Sequence, residues 1–237
     1  MKKIHRFFYD FNKIDDESIS IFDYDIVNQV VNVLRIREGE EIIIFNKETE
    51  FFCNLEQFNR KGIILKILDS KNIEKQDYRI NIYCAVLKKD NFEFIVQKTV
   101  ELGISDIYPI ITDRTIKTNL NFERLNKIVK EASEQSGRFY SSTVFNVIDL
   151  KKINILKDDL NIVLNMDGEN ILSAASVIKK TKNINLFIGP EGGWTDEEMF
   201  FFKKNNFLNL SIAKNVLRAE TAALLSVGVV SIIKNNN

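Results

Sequence analysis

Histidine occurs once in the 237 residues, tryptophan once, proline and cysteine twice each, and glycine only nine times. Each scarcity removes a class of chemistry. With His5 as the sole imidazole, triads and proton relays built on histidine have one residue to draw on. Cys53 and Cys84 have no C-x-x-C partner and no histidine beside them, which argues against a zinc site and a disulfide framework. Both are expected to be buried small hydrophobes, and no metal is expected. No charge-free apolar run reaches the roughly 18 residues of a membrane span. The opening stretch MKKIHRFFYDFNK lacks the apolar core and small-residue cleavage site of a secretory signal. The expected compartment is therefore the cytoplasm, with no membrane partner. An excess of charge is also missing: thirty-three basic side chains face thirty-three acidic ones. That balance lacks the overall basic signature of many nucleic-acid binders, so DNA is not an expected partner and RNA contact has to come from local patches.

What remains is an ordinary globular composition, 45% apolar and 28% charged, long enough for one large domain or two smaller ones. From Glu40 to Ser70, β-rich runs (EIIIFN, FFCNLEQF, IILKILDS) alternate with turn residues, Gly62 marking one turn. This predicts a small β-barrel or sheet, completed by a strand near Phe7 and a short helix from Asp25 to Arg35. The polar stretch SKNIEKQDYR suggests a boundary, giving domains 1–72 and 73–237. Beyond it the pattern becomes strand–helix alternation. INIYCAVL, SDIYPII, NIVLNM, INLFIGP and LNLSIAK read as strands. NFEFIVQKTVELG reads as a helix ended by Gly103, and NFERLNKIVKEASEQSG as one capped by Asn121 with Gly137 past its end. Further helices are expected from Ile171, from Thr195 and from about Ala219 to Ile233. Alternation of this kind implies an α/β domain with a mostly parallel sheet and helices on both faces. Ligands in such sheets sit beyond the carboxyl ends of the strands.

One prediction of a site follows from where the scarce residues cluster. FIGPEGGWTDEE, residues 187–198, holds three of the nine glycines and one of the two prolines, so the backbone there turns sharply or is closely approached. A Walker loop would need a lysine after the glycines, and a dinucleotide fingerprint would need G-x-G-x-x-G after the first strand; neither is present. Thr195-x-x-Glu198 reads as a capping box, which accounts only for the end of the segment. The second unusual stretch, NVLRAETAALLSVGVVSII, reads as a core helix. At its start stand Arg218, Glu220 and Thr221, a polar group that is either a solvated helix N-terminus or part of a site.

HRFF at 5–8, VLRIREGE at 33–40, QKTVELGISDIYPI at 97–110, ERLNKI at 123–128, EQSGR at 134–138, IGPEGGWTDEE at 188–198 and VLRAETAAL at 216–224 run through nearly the whole chain in order. As an ordered set they resemble the SPOUT superfamily of S-adenosylmethionine-dependent RNA methyltransferases, and within it the bacterial 16S ribosomal RNA uridine-N3 methyltransferases of the RsmE type. The resemblance implies an N-terminal PUA-like β-barrel that binds RNA and a C-terminal SPOUT domain with a trefoil knot. It also implies a homodimer acting on the small ribosomal subunit. The alternatives are a SPOUT enzyme acting on a ribose 2′-oxygen or another base, and a ribosome-assembly protein that binds RNA without turnover.

For the cofactor, S-adenosylmethionine with S-adenosylhomocysteine as its product, the resemblance implies a cup from three segments. These are Leu164, Asn165 and Met166; Ile188, Gly189, Pro190, Glu191, Gly192 and Gly193; and Ile212, Ala213, Val216, Leu217, Arg218, Glu220, Thr221 and Ala222. Ile212-Ala213 stands where the family usually has Leu-Gly, Asn215 lies where an arginine is usual nearby, and Gln29 lies where a histidine is common. Uridine N3 carries a proton at neutral pH, so a base or a stabilising cation is needed. Arg138 is the first candidate cation and Arg114 the second. Gln135 would read the uracil edge, Arg218 and Glu220 would orient donor or target, and Glu134 or Glu220 would accept the proton. For phosphate contact the candidates are Arg6, Arg35, Lys88, Lys89 and Lys98.

Overall fold

The computed structural model describes residues 4–10, 17–46, 48–59, 61–73, 76–116, 119–138, 142–156 and 158–236. The described residues divide into two units, one from 1–75 with 133–140 and the other from 76–132 with 141–237. Among them no helix is long and apolar enough to cross a membrane.

In the first unit β1 (His5–Phe8), β2 (Ser18–Ile21), β3 (Glu41–Phe45), β4 (Thr49–Phe58) and β5 (Ile63–Asn72) form one sheet in the order β1-β3-β4-β5-β2. The meander β3-β4-β5 is antiparallel, while β1 joins β3 in parallel. β2 is an addition to the expected strands. Asparagine side chains build the hairpin turns: Asn46 Oδ1 accepts from the Glu48 and Thr49 N–H groups, and Asn59 Oδ1 from those of Lys61 and Gly62. Such Asx turns close on their own backbone. Phe7, Ile21, Ile42, Ile44, Leu55, Ile63 and Leu65 fill the core, joined by Ile26 and Val30. The helix expected from Asp25 to Arg35 is α1 (Tyr24–Asn28), capped by Asp23, followed by a π turn over Gln29–Val33. Arg35, two residues past that turn, takes φ +53°. Charge inside this unit is paired: Arg6 Nη2 lies 2.6 Å from Glu50 Oε1, and its guanidinium sits 5.4 Å from the centre of the Phe45 ring.

The second unit is a parallel sheet of β6 (Arg79–Ala85), β7 (Asp106–Ile111), β8 (Thr143–Val144), β9 (Ile148–Asp149), β10 (Leu160–Asn170), β11 (Asn183–Ile188) and β12 (Leu208–Ser211). Its order is β12-β10-β11-β6-β7-β8, with β9 also on β7. The helices are α2 (Lys89–Leu102), α3 (Phe122–Ser136), α4 (Ala175–Lys180), α5 (Asp196–Lys204) and α6 (Ala219–Asn235). α2 ends on Gly103 at φ +109°, and Asn121 Oδ1 caps α3 by accepting from the Arg124 N–H. From Ser133 on, the last turn of α3 groups with the first unit.

One face of the sheet, with Ile80, Ile82, Ile184 and Leu186, packs on Phe92, Ile95 and Val96 of α2 and on Val227 and Val230 of α6. The other, with Ala85, Val163 and Phe187, packs on Phe202 of α5, Phe207 and Leu150. Two in-register ladders cross this second face. Asn81, Asn185 and Asn161 are hydrogen-bonded in series at 2.8 Å, and the rings of Phe187, Tyr83, Tyr108 and Phe145 stack at 4.4 Å. A slipped register would leave buried amides unpaired, so the asparagine row fixes the alignment of β6, β11 and β10. Pro109, which has no N–H to give, lies where β7 changes partner, between Ile107 paired with β8 and Ile110 paired with β9.

β10 extends beyond the expected NIVLNM run. Residues 162–164 pair with 208–210, and pairing resumes at 169–170, so the intervening residues bulge. Gly168 lies there against β12: a Cβ on it would fall 2.5 Å from the Leu210 carbonyl carbon. Only glycine permits that approach.

Candidate active site

Beside the bulge of β10 and at the carboxyl ends of β11 and β12 lies a cavity of about 360 Å³. Three chain segments wall it: the β10 bulge with Leu164, Asn165 and Met166; the loop after β11 with Ile188, Gly189, Pro190, Glu191, Gly193 and Trp194; and Ser211, Ile212, Ala213, Asn215, Val216, Leu217 and Arg218, running into Ala219 and Ala222 of α6. Fourteen of the seventeen residues assigned to the cofactor cup are in this wall; Gly192, Glu220 and Thr221 are not. Trp194, Ser211 and Ala219 line it without having been singled out, and so does Asn215, which stood out only as a departure from the family.

The loop after β11 is folded tightly. The Gly193 N–H donates to the Pro190 carbonyl at 2.8 Å, and Gly193 takes φ +71°, a conformation costly for any residue with a Cβ. Trp194 donates its indole N–H to the Leu164 carbonyl at 3.0 Å and packs edge-on against Phe202, so the chain's one tryptophan ties the loop to the bulge. Thr195 and Glu198 form the expected capping box on α5. Arg114, on the turn after β7, donates from Nη1 to the Gly192 carbonyl at 2.7 Å and, more weakly, to that of Trp194 at 3.3 Å. Its stem lies over Gly192, whose missing Cβ would sit 3.3 Å from Arg114 Cδ. Gly192 faces Arg114, which is why it is absent from the wall.

The electrostatics combine one cation and one anion in the lining, Arg218 and Glu191, both exposed. Glu220 is half-buried in the first turn of α6. The Cys84 thiol, fully buried at the end of β6, is pushed well above its ordinary value by burial, then by the carboxylates of Glu191 and Glu220.

The remaining candidates fall elsewhere. Glu134 is buried in the first unit and accepts the Phe8 N–H at 3.1 Å. Gln135 beside it is exposed, and Arg138, half-buried past the end of α3, donates its N–H to the Ser133 carbonyl. Of the residues chosen for RNA, Arg35, Lys88 and Lys89 are exposed, Lys89 lying 4.0 Å from Glu93, whereas Lys98 pairs with Glu101 at 2.7 Å and Arg6 with Glu50.

A family model described as an RNA methyltransferase domain matches residues 74–231, and one described as an RNA methyltransferase PUA domain matches residues 25–68. The chain is 26% identical over 98% of its length to the "Ribosomal RNA small subunit methyltransferase E" of Rickettsia conorii, covering 96% of that protein. To the protein of the same name from Bacillus subtilis it is 28% identical, with 96% of each chain covered. Among solved structures it is similar to the ribosomal RNA small subunit methyltransferase E of Neisseria gonorrhoeae bound to S-adenosyl methionine, at a TM-score of 0.86 and 25% identity over 98% of both chains. With a cavity at the carboxyl ends of its parallel strands and a family model spanning most of its length, this chain belongs to the RNA methyltransferase domain family and carries a PUA domain before it.

Proposed function

We propose that the chain is an S-adenosylmethionine-dependent methyltransferase acting on N3 of a uridine in the 16S ribosomal RNA of the small ribosomal subunit. The observation that carries this reading is the convergence of the β10 bulge, the glycine-rich loop and the start of α6 on one cavity. The names of the Rickettsia and Bacillus proteins, and the ligand of the Neisseria structure, support the substrate classes.

The lining fits such a donor. Leu164, Ile188, Leu217 and Ala222 offer apolar surface for a flat base. Gly193 stands open, with nothing within 4 Å of where a Cβ would sit, and the Glu191 carboxylate is opposite in charge to a sulfonium. When bound, S-adenosylmethionine supplies a methyl group activated by its attachment to positive sulfur. The chain's own contribution is then to hold donor and nucleophile in register, from which most of the acceleration of such a transfer comes.

Proton acceptance is best assigned to Glu220, which follows the lining residues Arg218 and Ala219; Glu134 already spends Oε1 on the Phe8 N–H. By resemblance Arg138 stabilises charge on the uracil oxygens and Gln135 reads the uracil edge. The target base has to be unpaired or flipped, since N3 is hidden in a Watson–Crick pair. Arg35 and Lys88 supply phosphate contact, with Lys89, Arg6 and Lys98 sharing their charge with Glu93, Glu50 and Glu101. The homodimer and the trefoil knot belong to the same proposal; exposed Leu172, Leu225 and Ile232 offer apolar surface for a second copy.

The test is transfer of labelled methyl from S-adenosylmethionine to small subunits lacking the modification, followed by nucleoside mass spectrometry. Recovery of 3-methyluridine is expected. Label in a 2′-O-methylated nucleoside or another base, or none in RNA despite donor binding, would overturn the assignment.

A further inference from the structure

The turn after β7 reaches the cavity loop through more than Arg114. Thr112 and Thr115 shape the turn: the Thr112 N–H donates to Thr115 Oγ1 at 3.0 Å, and their hydroxyls meet at 2.7 Å. The Asp113 N–H donates to Glu198 Oε1 at 2.9 Å, while the other oxygen of that buried carboxylate accepts the Thr195 N–H at 2.8 Å. The Asp113 carboxylate holds Lys151 Nζ at 2.9 Å, and Thr195 Oγ1 lies 3.4 Å from it. Arg114 bonds the Gly192 and Trp194 carbonyls. The loop is thus gripped at both flanks of Gly193 by a turn that contributes nothing to the cavity wall.

We infer that the Thr112–Thr115 turn is a clamp that sets the shape of the donor-binding loop, and that Arg114 is a positioning residue for the methyl donor rather than the cation of the transfer. This rests on the proposed function of the same cavity. Two observations separate the roles. The Arg114 guanidinium is directed at main-chain carbonyls of the loop, and its stem occupies the space that a side chain at position 192 would take. Gly192, outside the cavity wall, is small for the sake of Arg114 and only through it for the sake of a ligand.

The experiment uses the full chain and two readouts. Binding of S-adenosylhomocysteine is followed by Trp194 fluorescence, and amide hydrogen exchange across residues 191–195 is followed without ligand. Arg114→Ala is expected to raise Kd about tenfold, as removal of one charged hydrogen-bond donor does, and to speed exchange in that segment alone. Its single-turnover rate at saturating donor is expected to stay within about twofold of the unmodified protein, since a positioning loss is made good once the donor is bound. Gly192→Ala, which displaces the Arg114 stem, is expected to move both readouts in the same direction by less, and Arg114→Lys to recover part of the affinity.

A rate that falls a hundredfold or more at saturating donor with Kd unchanged would make Arg114 a catalytic residue and overturn the inference, as would unchanged exchange and Kd in both variants. If the unmodified protein bound no donor, the proposed function would fall instead. The ligand-free exchange measurement would still decide the clamp.

Discussion

Two tight turns ending in glycine, Asn59 to Gly62 and Pro190 to Gly193, hold their shape by opposite means. Both close with a main-chain hydrogen bond, Asn59 N–H to the Gly62 carbonyl at 3.0 Å and Gly193 N–H to the Pro190 carbonyl at 2.8 Å. In the first turn Asn59 supplies the remaining acceptor itself. In the second, the bracing bonds come from Arg114, from Trp194 reaching Leu164, and from Glu198 reaching Asp113. Among the described residues the first turn takes its side-chain acceptor from its own Asn59, and what reaches Gly62 from outside is the Phe22 ring, 2.7 Å from where a Cβ would sit. A turn braced from outside keeps its inner main-chain groups available, which is what a binding loop requires.

The largest effect expected from this contrast is at Glu198. Glu198→Ala removes a buried carboxylate that accepts two main-chain N–H groups, and should destabilise the second unit by about 3 kcal/mol in urea titration while weakening donor binding. Gly193→Val comes next: at φ +71° a branched side chain should add strain of about 1–2 kcal/mol, read as a lower melting temperature with a raised donor Kd. Asn59→Ala should lose about 1 kcal/mol and leave donor Kd unchanged; an equal loss of affinity there would break the contrast.

The smallest effect concerns the thiols. Burial pushes Cys53 from 9.0 up to about 12 and raises Cys84 as well. A thiol whose pKa is higher in the folded state favours that state fully below its unfolded value. Stability should therefore be intact below pH 9 and decline as pH rises toward 12, with no alkylation of native protein at neutral pH. Rapid labelling of either cysteine without unfolding would contradict its burial.

What could be read from the sequence follows the range of the interactions. The capping box of Thr195 and Glu198, the Gly103 helix end and the β3-β4-β5 meander are local, and the structure has all three. The cavity wall was legible because a resemblance ordered its three segments, not because spacing did. Trp194 stood beside the glycine pair as the only tryptophan, a signal that could have placed it at the site. Ser211 and Ala219 carried none. The reach of Glu198 to Asp113, eighty-five residues earlier, and the asparagine ladder of Asn81, Asn185 and Asn161 depend on strand order and register, which a single sequence does not specify. The π turn after α1 and the bulge in β10 likewise arise from packing that overrides local preference.

The measurement that bears most directly on the central claim is a titration of the full chain with S-adenosylmethionine, following Trp194 emission and heat together. The account predicts one saturable site per chain, with the fluorescence change tracking the heat, because the only tryptophan stands in the cavity wall. Binding heat without any change at Trp194, or no binding at all by folded protein, would contradict it.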